Sequence, residues 1–345
     1  MYNNDPLSAD LANGELSPDL IGKQIAGERG TYVIDKHIAR GTRSNLYRAI
    51  WRESERYVCA KILTFQMSAR DIKQMQREEF ALSSLNHPNI IRIHDAIALG
   101  GIHCTIMDYY PEGSLADKLG HGPMNLLEVG SIVEQIAGAV DFAHSKGIIH
   151  QDIKPANILI HQGRAVLSDF GIARVIGEHI ATRATGQDSY VGTPSYMSPE
   201  QVTGYPTIGT ATDQYSLAVV AYEMLTGRLP HSGDTPLAIL YSKVENPAPR
   251  LSRLNPNISP SVEQVVLKGL AKSPNKRFKS ATGFAMALNE AIRFPNKSRP
   301  QLVKHKTFPE ILPKLSAREG LFLVFLCAFL GSFFGTLLAV LMFGS

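Results

Sequence analysis

A change of hydrophobic period partway along the chain limits its fold more than any other feature. Between about Leu20 and Phe65, β-branched and aromatic residues gather in Thr31 to Ile38 and again in Tyr57 to Leu63, the pattern of short strands. Three-to-four spacing then takes over. Val129, Ile132, Val133, Ile136, Val140 and Ala143 share one stripe within Leu126 to Ser145. Leu217, Val220, Met224 and Leu225 repeat it within Thr212 to Thr226, stopping at Gly227. A strand-rich first third followed by a helix-rich remainder predicts an α+β chain of two lobes with a cleft between them. The 345 residues suffice for that core plus appendages, and no internal repeat is found.

The ends read differently. Residues 1–19 hold Asp5, Asp10, Glu15 and Asp19 without Lys or Arg, which describes a mobile polar leader rather than a secretory signal. Residues 293–320 form a basic, Pro-containing linker with Arg293, Lys297, Arg299, Lys304, Lys306, Lys314 and Arg318. Residues 321–343 carry no charge; as a helix they reach roughly 35 Å, enough for a hydrocarbon core of about 30 Å. A C-terminal transmembrane helix is expected there. The basic residues precede it and none follows, so the bulk of the chain is expected on the cytoplasmic side. Gly331 and Gly335 form a small-x-x-x-small step through which two such helices could pair as a homodimer.

Composition removes several functions. The 35 basic and 31 acidic residues give +4, too mild for a nucleic-acid partner. Cys59, Cys104 and Cys327 are odd in number and far apart, so neither a disulfide framework nor a zinc site is expected.

The sharpest local signal is His150-Gln151-Asp152-Ile153-Lys154-Pro155-Ala156-Asn157, followed after a short apolar run by Asp169-Phe170-Gly171. This pair of motifs resembles the catalytic loop and metal-binding motif of the protein kinases. In-line phosphoryl transfer needs a carboxylate to take the hydroxyl proton, a cation near the transferring group and oxygen ligands for Mg2+. By position the resemblance assigns these to Asp152, Lys154, and the pair Asn157 with Asp169.

Further segments carry the same resemblance over residues 20–292, with an N-lobe of about 20–107 and a C-lobe of about 111–292. Lys61 of Val58-Cys59-Ala60-Lys61 would hold the α- and β-phosphates of ATP, steadied by Glu78, nine residues before His87-Pro88-Asn89-Ile90. Glu79 is an equally charged neighbour; Leu82 and Leu85 on the Glu78 face favour Glu78. Leu82, Ile93, Phe170 and His150 would stack as an apolar column joining the lobes. The phosphate-covering loop is eroded: Ile38, Ala39, Gly41 and Leu46 occupy cofactor-binding places, but Ala39 and Ser44 stand where the family has glycine, which lets a backbone approach phosphate closely. Met107 would guard the adenine pocket, with Asp108, Tyr109 and Tyr110 as the hinge and Cys59 as an apolar filler above the base.

Gly192-Thr193-Pro194-Ser195-Tyr196-Met197-Ser198-Pro199-Glu200 resembles the substrate-positioning segment of Ser/Thr kinases. Glu200 would pair with Arg277, and Asp213 would brace the catalytic loop. The wording of this segment and of Asp213 to Pro230 is most similar to the membrane-anchored Ser/Thr kinases of bacteria. The resemblance therefore implies a bilobal kinase at a bacterial inner membrane, transferring the γ-phosphoryl of MgATP to protein Ser/Thr hydroxyls. The rival reading is a catalytically silent pseudokinase scaffold, favoured by Ala39 and Ser44 and opposed by the intact Lys61, Glu78, Asp152, Asn157 and Asp169. Gln151 departs from the usual Arg before the catalytic Asp.

Overall fold

The computed structural model describes residues 20–41, 44–65, 67–83, 85–99, 102–120, 122–170, 194–204 and 208–295. The leader 1–19, the stretch 171–193, most of the linker and the apolar segment 321–343 lie outside them. Among the described residues no helix is long and apolar enough to cross a membrane.

The N-lobe is a six-stranded antiparallel sheet of β1 (Gln24–Ala26), β2 (Thr31–Arg40), β3 (Ser44–Trp51), β4 (Arg56–Leu63), β5 (Ile93–Leu99) and β6 (Ile102–Asp108), in spatial order β1-β2-β3-β4-β6-β5. The two expected strands are β2 and β4, each slightly longer than its apolar run. The sheet extends past the strand-rich third: after helix α1 (Ala69–Ser83) the chain returns to add β5 and β6, and β6 pairs with β4. Alternation along β2 and β3 buries Tyr32, Ile34, Tyr47 and Ala49 with Ile62, Cys104 and Ile106 in one apolar core.

The C-lobe is built on α3 (Leu126–Ser145) and α5 (Thr210–Thr226), with α2 (Leu115–Leu119), α4 (Pro199–Thr203), α6 (Pro236–Glu245), α7 (Pro260–Gly269) and α8 (Ala281–Arg293) around them. Helix α5 is buried on nearly every face, beyond its apolar stripe: Asp213, Gln214 and Ser216 are buried with it and make hydrogen bonds there. It ends at Gly227, whose φ of 69° supplies the left-handed C-cap that a side chain resists. Asn125 caps α3, accepting from the Leu127 amide. The Asp141 carboxylate of α3 accepts from the Ala281 and Thr282 amides, fixing the start of α8. A two-stranded hairpin, β7 (Ile158–His161) with β8 (Arg164–Leu167), presents the catalytic-loop residues to the cleft below the sheet.

Candidate active site

The loop between α3 and β7 carries the residues expected to do the chemistry. His150 and Gln151 donate their amides to the two carboxylate oxygens of buried Asp213 at 2.8 and 2.7 Å, so α5 holds the loop by its backbone. His144 adds a contact to Asp213 at 2.8 Å. Pinned this way, Gln151 takes φ 65°, an uncommon conformation for a residue with a side chain. Asp152 follows with its Oδ2 2.7 Å from Lys154 Nζ and 3.1 Å from Asn157 Nδ2. The same Asn157 amide donates to the Asp152 carbonyl at 2.9 Å. Base, cation and amide thus occupy one small volume.

Facing them, Asp169 also adopts positive φ, 64°, and meets Lys61 of β4 at 2.7 Å. Burial works against ionisation of Asp169, yet the adjacent Lys61 ammonium holds its carboxyl below the usual range. Phe170 is buried and stacks on His150 with ring centroids 4.5 Å apart. Leu82 belongs to the same apolar cluster and Ile93 packs against it. The four expected residues of the column are therefore gathered. His150 is further fixed by its Nε2 contact to the Ser168 carbonyl at 2.9 Å.

An apolar patch lines the mouth of the cleft. Cys59 and Met107 cluster with Ile91 and Val166, and Leu46, Tyr110 and Leu159 pack against them. Burial pushes the Cys59 thiol up to about 12, so it sits there as a neutral filler. Asp108 ends β6 and contacts His94 Nε2 at 2.7 Å. Ile38 is half exposed on β2. The turn after Ala39 closes with the Gly41 amide donating to the Ser44 carbonyl at 2.8 Å; a Cβ on Gly41 would come within 3.0 Å of that oxygen. That close approach is met by the one glycine kept in this loop.

Behind the catalytic loop, Arg277 grips Glu200 with two bonds of 2.7 Å, both side chains buried. The end of the segment expected to position substrate is thereby locked to the C-lobe, while Gly192 and Thr193 lie outside the described residues.

Residues 32–289 match the protein kinase domain family. The chain belongs to that family. The serine/threonine-protein kinase PrkC of Bacillus subtilis strain 168 is 38% identical over 269 residues, which are 76% of this chain and 40% of that relative. PknB of Mycobacterium tuberculosis is 33% identical over 299 residues, 84% of this chain and 47% of that relative. The chain thus spans under half the length of these curated relatives. The crystal structure of the M. tuberculosis PknI kinase domain aligns with a TM-score of 0.60 at 26% identity, covering 77% of this chain and 96% of that structure.

Within this kinase fold, hard-cation ligands must be oxygens. Asn157 spends its amide nitrogen on Asp152, which leaves its carbonyl oxygen for a cation, and Asp169 has a second carboxylate oxygen besides the one on Lys61. This donor set fits Mg2+, whose remaining ligands would have to come from phosphate and water.

Glu78 lies on α1, but its side chain is outside the described residues. The buried stripe of α1 runs through Ile72, Met75, Glu79 and Leu82. Glu79, the equally charged neighbour of Glu78, is a buried carboxylate: His103 Nε2 contacts it at 2.7 Å, and the Thr105 hydroxyl donates to its other oxygen. Its signal was the polar pair His103 and Thr105 on an otherwise apolar β6, which needs a buried partner.

Proposed function

We propose that this chain is a protein-serine/threonine kinase that moves the γ-phosphoryl group of MgATP to Ser or Thr hydroxyls of proteins. The observation that carries this reading is Asp152, held by Lys154 and Asn157 on one loop opposite the Lys61–Asp169 pair. MgATP supplies the transferable group and the cation that neutralises its oxygens. Lys61 would secure the α- and β-phosphates, with Glu78 as its acidic partner, and Asp169 with Asn157 would hold the cation. Asp152 accepts the proton of the attacking hydroxyl, and Lys154 steadies charge on the group in transit. Leu46, Cys59, Met107 and Leu159 receive the adenine, Asp108 and Tyr110 offer hinge backbone to it, and Ile38, Ala39 and Gly41 cover the phosphates.

The apolar segment 321–343 is read as a single span that anchors the kinase at the cytoplasmic face of a bacterial inner membrane, with the basic linker at the lipid headgroups. Incubating the full chain with labelled ATP and a basic protein acceptor tests the central claim. Label on acceptor serine or threonine is expected; transfer indistinguishable from Asp152→Asn would make the chain a silent scaffold instead.

A further inference from the structure

Lys243 of α6 is fully buried, an environment in which an ammonium is costly unless compensated. Among the described residues no carboxylate stands within ion-pair distance of it. Its Nζ instead donates to the main-chain carbonyl of Ser195 at 2.6 Å, with the Tyr215 ring centroid 5.5 Å away. Ser195 is buried in the middle of the turn 194–196 that leads into α4. The next residue is held as firmly: the Tyr196 hydroxyl donates to Glu223 at 2.6 Å, and the Ser216 hydroxyl donates to the Tyr196 carbonyl at 2.9 Å. Side chains of α5 and α6 thus take successive carbonyls of one short segment.

A methionine of similar length would fill this space without the cost of burying an amine. What the amine adds is the donor that reaches the Ser195 carbonyl. We propose that Lys243 is a positioning residue for the phosphoryl acceptor, its ammonium fixing the Ser195 carbonyl and hence the backbone on which the acceptor is aligned. This rests on the kinase reading above.

The charge that acts on Lys243 is the cation of Lys272. Lys272 donates to the main-chain carbonyl of Lys243, His231 precedes α6, and the Arg277 guanidinium lies 4.7 Å from the Tyr215 centroid while paired to Glu200. Glu245 at the end of α6 acts on Lys272 rather than on Lys243. Burial, followed by Lys272, pushes the Lys243 amine down to about 7. Burial and these same lysines keep His231 neutral, at about 3, and burial lowers Lys272 to about 8. A neutral amine still donates, but a charge-assisted bond is roughly twice as strong.

The test compares the full chain with its Lys243→Met variant, using labelled ATP and a lysine-rich histone as acceptor between pH 6 and 8.5. The acceptor KM of the variant is expected to rise roughly tenfold at pH 6 with the ATP KM unchanged. The ratio of variant to wild-type acceptor KM should narrow as pH passes through 7, and the variant's Tm should equal or exceed the wild-type value. An unchanged acceptor KM, a ratio constant with pH, or ATP and acceptor KM rising together would overturn the assignment. Should the Met variant fail to fold, Lys243→Leu carries the same comparison. Wild-type protein that labels no acceptor defeats the kinase reading itself; wild-type transfer with an indifferent variant defeats only this inference.

Discussion

The side-chain amide of Gln201 donates to the main-chain carbonyl of Gln151 at 2.9 Å, tying the first turn of α4 to the catalytic loop without any charge. An Arg at position 151 would repel neighbouring cations until a phosphate on the segment 171–193 neutralised it; Gln151 has no such need. The unphosphorylated enzyme is therefore expected to be substantially active. Phosphatase-treated protein should keep most of its initial rate on an exogenous acceptor. A loss of tenfold or more, restored by preincubation with MgATP, would contradict this.

Asp152 and Asp169 should fail differently. Asp152→Asn removes the proton acceptor but keeps shape, so turnover should vanish while nucleotide affinity stays within a few-fold. Asp169→Asn removes a cation ligand and should also weaken Mg2+-dependent nucleotide binding. Titration with a fluorescent ATP analogue, with and without Mg2+, separates the two.

The Glu200–Arg277 pair sets a stability requirement. Burial alone would raise the Glu200 carboxyl, but the two bonds from Arg277 hold it below its ordinary value. A depressed folded-state value stabilises the fold above the unfolded carboxylate range of about 4.3 and ceases to do so as pH falls through the folded value. Arg277→Met leaves a buried charge uncompensated and should cost about 3–5 kcal/mol at pH 7. Adding Glu200→Gln should recover part of that loss in a denaturant titration; a double variant no more stable than Arg277→Met would contradict the account.

Self-association through the apolar segment would rest on Gly331 and Gly335, with Ala339 one step further on. A reporter of transmembrane helix pairing carrying residues 321–343 should signal, and Gly335→Ile should reduce that signal severalfold. An unaltered signal would remove these glycines from the interface. Pairing would raise the local kinase concentration and favour phosphorylation between copies.

Much of this molecule was legible in one dimension because the relevant forces are local. Strand alternation and helical spacing located β2, β4, α3 and α5, and Gly227 marked the end of α5 through the left-handed turn that only glycine takes without strain. Asp152, Lys154 and Asn157 lie on one short loop, so their order along the chain already confined them to one volume. Tertiary packing decided the rest. Strands β5 and β6 follow the first helix and needed the edge of β4 to become part of the sheet. Glu78 and Glu79 differ by one position on α1, and it was the polar pair His103 and Thr105 on the facing strand that took Glu79 into the core. Lys61 meets Asp169, Gln201 reaches Gln151, and Lys243 reaches Ser195 across separations along which no periodicity runs. Such contacts are set by which buried donor finds the nearest unsatisfied acceptor once the helices and sheet have packed, and only the folded chain contains that information.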